Sequence, residues 1–592
     1  MLTTRIYNFL FTTETKIYSK RSLFWLGLSL IFALIYSLIA LQEAFSSEYI
    51  VQDDARQHIF WMSRFVDSEL FPGDLIADYY QSIAPWGYKN IYHLFAWLGV
   101  EPLVFCKFVP VILCLMMTGY CFAVILEILP IPFAGFVAAL LFNQNMWLQD
   151  GVASATSRAF AYPLFFAFIY YWFRQSLVGV CLTIILMSWF YPSFVLIFAG
   201  CLFLQLWRID GYLPKLNPDK KIYIFSCIGL LVSFMVLLPY LLSASEYGPT
   251  TTLEQARSLP EFISGGRASF FHDDDPWRFW FNATRSGIKL PSALMPDLAY
   301  GGLILPFLLK FPKKFALSQK IKPKLGYFNN LLLVSFGLFF AAHAFLFKLY
   351  LPSRYTQHTL KVVVIVAASI ALMLIVSTIL NWAINSQPYS AFKSFLALAI
   401  TTLFIVSLVT YPATRDDFIH TGYQVGRHPQ LYKFFQQQPK DIMIASLATE
   451  ASVIPSFSKR SILVSSEHAI PYHMGYYRPF RQRAIDLIEA QYTTDFLTVQ
   501  NFITKYGVNF WLLEKSSLTP EYLEQNRWLL DHQTVTQTAI KNLRQGKQPL
   551  LTRIKDKCTA FQDADYTVIA SNCINSHSSV NKGRGARLAP FK

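Results

Sequence analysis

Leu23-Phe-Trp-Leu-Gly-Leu-Ser-Leu-Ile-Phe-Ala-Leu-Ile-Tyr-Ser-Leu-Ile-Ala-Leu41 is followed, a few residues on, by Tyr49-Ile-Val-Gln-Asp-Asp-Ala-Arg-Gln-His58. The first stretch holds no charge and is long enough to cross a hydrocarbon core of roughly 30 Å as a helix. The second sets two carboxylates, Asp53 and Asp54, beside Arg56 and His58, close to where the chain leaves the bilayer. The plain reading of such a pair is a solvated acidic loop; the functional one is a carboxylate site at the membrane surface. The first stretch is long for a cleaved signal, lacks a small-residue cleavage pattern and is followed by further spans, so it reads as a membrane helix.

The rest of the chain repeats this alternation. Of 592 residues, 54% are hydrophobic, 17% aromatic and 15% charged, against roughly 25% charged in a soluble domain. Apolar runs recur at 104–126, 133–148, 159–173, 177–189, 193–207, 222–242, 298–309, 331–347, 360–380 and 394–411. The expectation is a polytopic α-helical membrane protein with about eleven transmembrane helices. The net charge of +15 then reports loop topology, and nucleic acid is not an expected partner. Lys16, Lys20 and Arg21 precede the first span, Lys215, Lys220 and Lys221 the seventh, and the lysines from Lys310 to Lys324 the ninth. All three clusters fall on one side of an alternating arrangement, which the positive-inside rule assigns to the cytoplasm. The amino terminus is therefore expected inside, and the carboxy-terminal segment outside together with loops 43–103 and 243–296.

Residues 1–411 form the membrane module on this reading. Residues 412–574 read as a soluble extracytoplasmic α/β domain, with strands expected at 441–447, 461–466 and 508–513 and helices at 429–438, 481–492 and 496–506. The basic, polar residues 575–592 read as a disordered tail. Six cysteines fall in spans as small apolar residues. Cys558 and Cys573 lie in the soluble segment, either as a disulfide or as two free thiols.

The chemistry-bearing residues collect at the outer face. Asp53 and Asp54 are candidates for a general base or, as oxygen ligands, for a divalent cation, which nothing in the sequence requires. Asp150 follows the third span and Arg158 opens the fourth. Leu351-Pro-Ser-Arg-Tyr355 precedes the tenth; Arg354 there is placed to take a phosphate, with interfacial anchoring as its plain alternative. His58, and Asp273 and Asp274 within His272-Asp-Asp-Asp275, complete the candidate acidic or acceptor groups; the latter run also reads as a solvated turn. Segment 55–70 reads as an amphipathic helix on the membrane. The outer-loop aromatics Trp61, Tyr79, Tyr80, Trp86, Tyr88, Trp277 and Trp280 serve either as an interfacial belt or as sugar-stacking platforms. Lys107, Lys361 and Lys393 lie near span ends, where a lysine can snorkel. His343 is then the ionisable group furthest inside a span, which counts against ion-coupled transport.

This layout resembles the GT-C glycosyltransferases, within them most the protein O-mannosyltransferase and lipid A aminoarabinose transferase group, families 39 and 83. Asp53-Asp54 stands where that group carries its catalytic aspartate, Leu351-Pro-Ser-Arg-Tyr355 resembles its Arg-Tyr motif, and Asp150 stands where the oligosaccharyltransferase branch keeps a second acidic motif. The Trp-Trp-Asp signature of that branch is absent. The resemblance implies transfer of a sugar, with inversion, from a polyprenyl-phosphate donor to an extracytoplasmic acceptor. Of the pair, Asp53 would act as base, with Asp54 orienting it or holding a metal, and Arg354, Tyr355 and Arg158 would lie at the donor phosphate. Membrane lipid is an implied partner, and a bacterial plasma membrane is the favoured location. The competing readings are a non-enzymatic flippase or assembly protein, and an envelope glycan polymerase or ligase.

Overall fold

The computed structural model describes residues 2–14, 16–210, 213–242, 245–386 and 390–576. Every expected span falls on a helix: α1 (Lys20–Ala44), α2 (Pro102–Ile128), α3 (Pro132–Trp147), α4 (Ala161–Phe173), α5 (Leu177–Phe190), α6 (Val195–Gln205), α7 (Lys220–Leu242), α8 (Gly301–Leu308), α9 (Tyr327–Ala344), α10 (Pro352–Ile384) and α11 (Ala391–Thr410). Six are long and apolar enough to cross a membrane: α1, α2, α7, α10, α9 counted from Pro323, and α11 counted to Thr414. The other five run from 8 to 16 residues.

Local sequence explains the helix starts. Proline opens α2, α3 and α10, where its missing N–H costs nothing and its fixed φ suits the first turn. α1 buries one stripe, Ser22, Trp25, Ser29, Ala33, Tyr36, Ala40 and Ala44. The spacing of three or four residues and the small side chains let it lie close against α2 and α3 while Leu34, Leu38 and Ile39 face outward. α3 is buried on every face and forms the centre of the bundle.

The two ends of the bundle differ. At one, Lys324 meets Glu127 at 2.5 Å, Arg174 approaches the same carboxylate at 4.0 Å, and the backbones of Lys322 and Glu14 bond to Ile128 and Pro130. The lysine clusters before α1 and α9 thus share an end. The other end lies a full α2 away, about 40 Å for a helix of this length, and there Glu101 meets Lys459 at 3.0 Å.

That second end carries the carboxy-terminal segment. β1 (Ile50–Gln52), in the first long loop, pairs antiparallel with β2 (Tyr423–Val425), beyond α11. Beyond it lies a five-stranded sheet of β3 (Met443–Ala445), β4 (Ser461–Ile462), β5 (Val508–Glu514), β6 (Thr559–Gln562) and β7 (Tyr566–Ala570), in the order β4-β3-β5-β7-β6. β3, β4 and β5 are parallel, while β7 runs antiparallel to β5 and β6. The three expected strands are β3, β4 and β5; β6 and β7 extend the sheet beyond them. Cys558 and Cys573 are joined in a disulfide beside that edge. Of the expected tail, residues 577–592 lie outside the described residues.

Two local expectations are corrected. Segment 55–70 is not one amphipathic helix. A single turn, Ala55–His58, is followed by a 3-10 stretch, Phe60–Phe65, and Ile59, Phe60, Trp61 and Met62 are fully buried. Consecutive apolar residues cannot share one helix face, so the run plugs into the core, where Phe60 packs edge-on against Phe71. Nor does Lys361 snorkel. α10 begins at Pro352, eight residues before the expected span, so Lys361 lies within the helix and points inward, 1% exposed.

Candidate active site

The acidic motif is held from both sides. Gln52, buried at the end of β1, accepts from the N–H groups of Asp54 and Ala55 at 2.8 and 3.1 Å and donates to the Thr421 carbonyl at 3.2 Å. The Asp53 N–H donates to the Gly422 carbonyl at 3.0 Å. Gly422 has φ +69°, and a Cβ there would stand 3.2 Å from Gln52 Nε2 and 3.3 Å from Asp150 Cβ. Both the backbone angle and the close approach call for glycine.

This anchoring sends the two aspartates different ways. Asp54 lines a cavity of about 470 Å³. Its Oδ2 accepts from Arg158 Nη2 at 2.5 Å, and the same nitrogen lies 3.8 Å from Asp150 Oδ1. Burial would raise the Asp54 carboxyl, but Arg158, with His58, Arg354 and Arg267 beyond it, outweighs that effect and holds it below the usual carboxylate range. Asp53 does not line the cavity. Its Oδ1 pairs with Arg56 at 2.6 Å, and Arg56 also reaches Glu467 at 2.9 Å and Ser452 at 2.8 Å.

The cavity walls come from five distant parts of the chain. His58, Tyr79, Tyr80 and Tyr88 belong to the first loop, Tyr191 to the turn after α5, Arg267 and Arg285 to loop 243–296, and Tyr472 and His473 to the carboxy-terminal segment. Tyr350, Leu351 and Arg354 come from the start of α10. Arg285 donates to the Tyr472 hydroxyl at 3.0 Å and to the Arg267 carbonyl at 3.0 Å; Arg267 in turn pairs with Glu467. The Arg285 carbonyl accepts from the Ser353 N–H at 3.2 Å, so the loop clamps the first turn of α10. Arg354 has one weak side-chain partner, Gln357 at 3.4 Å, and its buried Nε has none. Burial, against the opposing pull of Asp54, brings His58 down to about 4, so its ring is neutral near pH 7. That ring sits edge-on to Tyr80, centroids 5.1 Å apart. Tyr79 and His473 share a hydrogen bond of 3.0 Å.

The structure therefore brings together Asp54, His58 and Arg354, with Arg158 and Asp150 directly behind. The other sequence candidates stand apart. Tyr355 is buried and donates to the Leu349 carbonyl at 2.7 Å, fixing the turn before α10. Asp273 is exposed and pairs with Arg257 at 2.9 Å, and Asp274 is exposed next to it; neither lines the cavity. Sequence reasoning did not single out Gln52, Arg267, Arg285, Tyr472 or His473. Arg267 carries a weak local signal, the preceding Gly265-Gly266, of which Gly265 has φ +84°. Behind Arg158, a small cavity of about 40 Å³ is lined by Gln149, Asp150, His358 and Lys361 among others. Lys361 donates to Gln149 Oε1 there at 2.5 Å. Among the described residues, no three His, Cys, Asp or Glu side chains gather in a metal-binding group.

One carboxylate and three guanidinium groups, those of Arg267, Arg285 and Arg354, line the same cavity, which suits an anionic group at the arginines and a second, proton-donating group at the carboxylate. No protein-family model matches the chain, and no curated protein sequence matches it. Solved structures do match. The Archaeoglobus fulgidus oligosaccharyltransferase tethered with an acceptor peptide superposes over 88% of this chain and 72% of its own, at 11% identity and a TM-score of 0.51. Its apo form gives 87%, 73%, 11% and 0.50. ArnT from Cupriavidus metallidurans in the apo state covers 92% of this chain and 97% of its own at 12% identity, with a TM-score of 0.46. The chain has the fold of the GT-C glycosyltransferases.

Proposed function

We propose that this protein is a membrane glycosyltransferase that moves a sugar from a polyprenyl-phosphate-linked donor to an extracytoplasmic acceptor, with inversion. The observation that carries the proposal is that Asp54 and Arg354, from opposite parts of the chain, line one cavity at one end of the membrane bundle. Asp54, ionised and aimed by Arg158, takes the proton of an acceptor hydroxyl. The hydroxyl oxygen forms a bond to the anomeric carbon, and the bond from that carbon to the phosphate oxygen breaks. The departing polyprenyl phosphate takes the electron pair, and Arg354, with Arg285 and Arg267, receives its growing negative charge. His58 and the tyrosines of the first loop form the sugar wall. Asp53 holds Arg56 in the network that ties the motif to Glu467.

The lysine-rich end faces the cytoplasm on this reading, and the cavity end and residues 412–574 lie outside. The Cys558–Cys573 disulfide supports an oxidising compartment for that segment, and a bacterial plasma membrane is the favoured setting. A glycan polymerase or ligase would share this donor chemistry and differ in its acceptor.

The test uses purified protein in lipid with a panel of radiolabelled polyprenyl-phosphate sugars, scoring release of free polyprenyl phosphate. Release by the wild type that is lost in Asp54→Asn supports the proposal. Release unchanged in Asp54→Asn removes Asp54 as base, and no release from any donor by folded wild type favours a flippase or assembly role.

A further inference from the structure

Asp54 and Asp150 are the oxygen ligands a divalent cation would need at this site, and a guanidinium already stands between them. We infer that Arg158 is the site's built-in cation, in the place of a divalent metal, and that donor binding proceeds without one. The metal half of this inference stands on geometry alone; its bearing on transfer rests on the glycosyltransferase reading.

Three observations support it. First, one nitrogen, Arg158 Nη2, faces both carboxylates, at 2.5 Å from Asp54 and 3.8 Å from Asp150. A metal ion bridging the two would have to displace it. Second, the remaining ligands are committed elsewhere. Hard divalent cations take about six or more oxygen ligands, but Asp53 is turned outward onto Arg56, and the His58 ring packs against Tyr80. The backbone at Gly422 closes over Gln52 and Asp150, so no further side chain can approach from there.

Third, basic groups already crowd the site. Lys361 lines the small cavity behind Arg158 together with Asp150, and it is buried with Gln149 as its hydrogen-bonding partner. The Arg158 guanidinium thus faces two carboxylates, Asp54 and Asp150, with the buried Lys361 amine behind it. Before the donor arrives, a divalent ion would add two positive charges beside Arg158 and close to the cavity arginines Arg267, Arg285 and Arg354, and such repulsion opposes its binding. Arg158 is accordingly a positioning residue. It keeps Asp54 ionised and fixes its direction without a free ion.

The experiment is Mn2+ binding to the full-length protein in lipid nanodiscs, read by electron paramagnetic resonance, alongside binding of undecaprenyl phosphate with and without EDTA. The expected result is no Mn2+ bound by the wild type beyond that bound by Asp54→Asn, and undecaprenyl phosphate binding unchanged by EDTA. Arg158→Ala, which uncovers the carboxylate pair, gains a Mn2+ site that Arg158→Ala/Asp150→Asn loses again, with affinities differing by about tenfold or more. Arg158→Lys, which keeps the cation, gains none. One Mn2+ bound by the wild type and lost in Asp54→Asn would overturn the inference, and that arm decides it even if Arg158→Ala does not fold. Failure of undecaprenyl phosphate to bind at all, with Mn2+ also absent, counts against the donor reading and leaves the metal result standing.

Discussion

Asp54, partly buried, and Glu261, fully buried, are set to opposite charge states by their surroundings. Asp54 meets the Arg158 guanidinium and is held ionised. Glu261, in the loop between α7 and α8, is 0% exposed, and neither of its oxygens finds a side-chain donor. Burial pushes it up to about 7, only partly countered by Arg481. Burial alone neutralises a carboxylate; burial with an aimed guanidinium keeps the charge and gives it a direction. The region around Asp54 holds a directed charge, whereas that around Glu261 trades stability against pH.

The sharpest break of this comparison is at turnover. Asp54→Asn keeps the shape and removes the base, so release of polyprenyl phosphate is expected to fall by about 10³-fold, within the usual range for a general base. Measured alongside, Glu261→Gln should leave release close to wild type. Equal losses in both would erase the distinction.

The next effect has the opposite character. For Glu261 the folded pKa of about 7 lies above the unfolded value of 4.5. Between these values the folded chain holds a proton that the unfolded chain has lost, so stability falls as pH rises through that window. Glu261→Gln removes this penalty. It should stabilise the protein by about 3 kcal/mol above pH 7, because the gap between the two pKa values converts to free energy at about 1.4 kcal/mol for each tenfold change in proton affinity. Below pH 4.5 it should gain nothing. Thermal unfolding of both proteins across that range checks it; a gain that is independent of pH would mean that packing, not charge, sets the cost.

A third measurement separates stability from chemistry within the carboxy-terminal segment. Cys558→Ser/Cys573→Ser opens a loop with a sequence separation of 15 residues, which should cost about 3 kcal/mol. The bond lies at the β6–β7 edge, away from the residues that line the cavity, so release by the protein that remains folded should not change. Loss of release at a temperature where the variant is folded would tie that edge to the site.

Much of this architecture is legible in the chain because its signals are local. Apolar runs place all of α1–α11, and two carboxylates just past an apolar span mark the motif. The cavity is legible only in part, because its walls come together across long sequence separations. Arg267, Arg285, Tyr472 and His473 follow no pattern that differs from other loop residues. Lys361 illustrates another limit. Hydropathy places it at a span boundary, but the helix starts earlier than the apolar run does, and a lysine in its third turn is aimed by packing rather than by distance to water. Segment 55–70 fails for a related reason: its apolar content is right for a membrane surface, while its consecutive spacing suits a plug in the core.

The smallest expected effect bears on the motif itself. The sequence reading takes Asp53 as the base and Asp54 as the group that orients it, whereas Asp54, not Asp53, lines the cavity. Asp53 and Asp54 form the turn that follows β1, and the hydrogen bonds of their N–H groups to the Gly422 carbonyl and to Gln52 Oε1 hold that turn in place. Asp53 is 38% exposed and its partner is Arg56, so removing its charge loses a partly solvated ion pair worth about 1 kcal/mol or less. Arg56 keeps Glu467 and Ser452 as partners, which limits the consequence further. Asp53→Asn is therefore expected to lower release by less than about fivefold, the equivalent of that energy. A loss as deep as that of Asp54→Asn would mean that the turn shifts during turnover and exchanges the two carboxylates at the cavity.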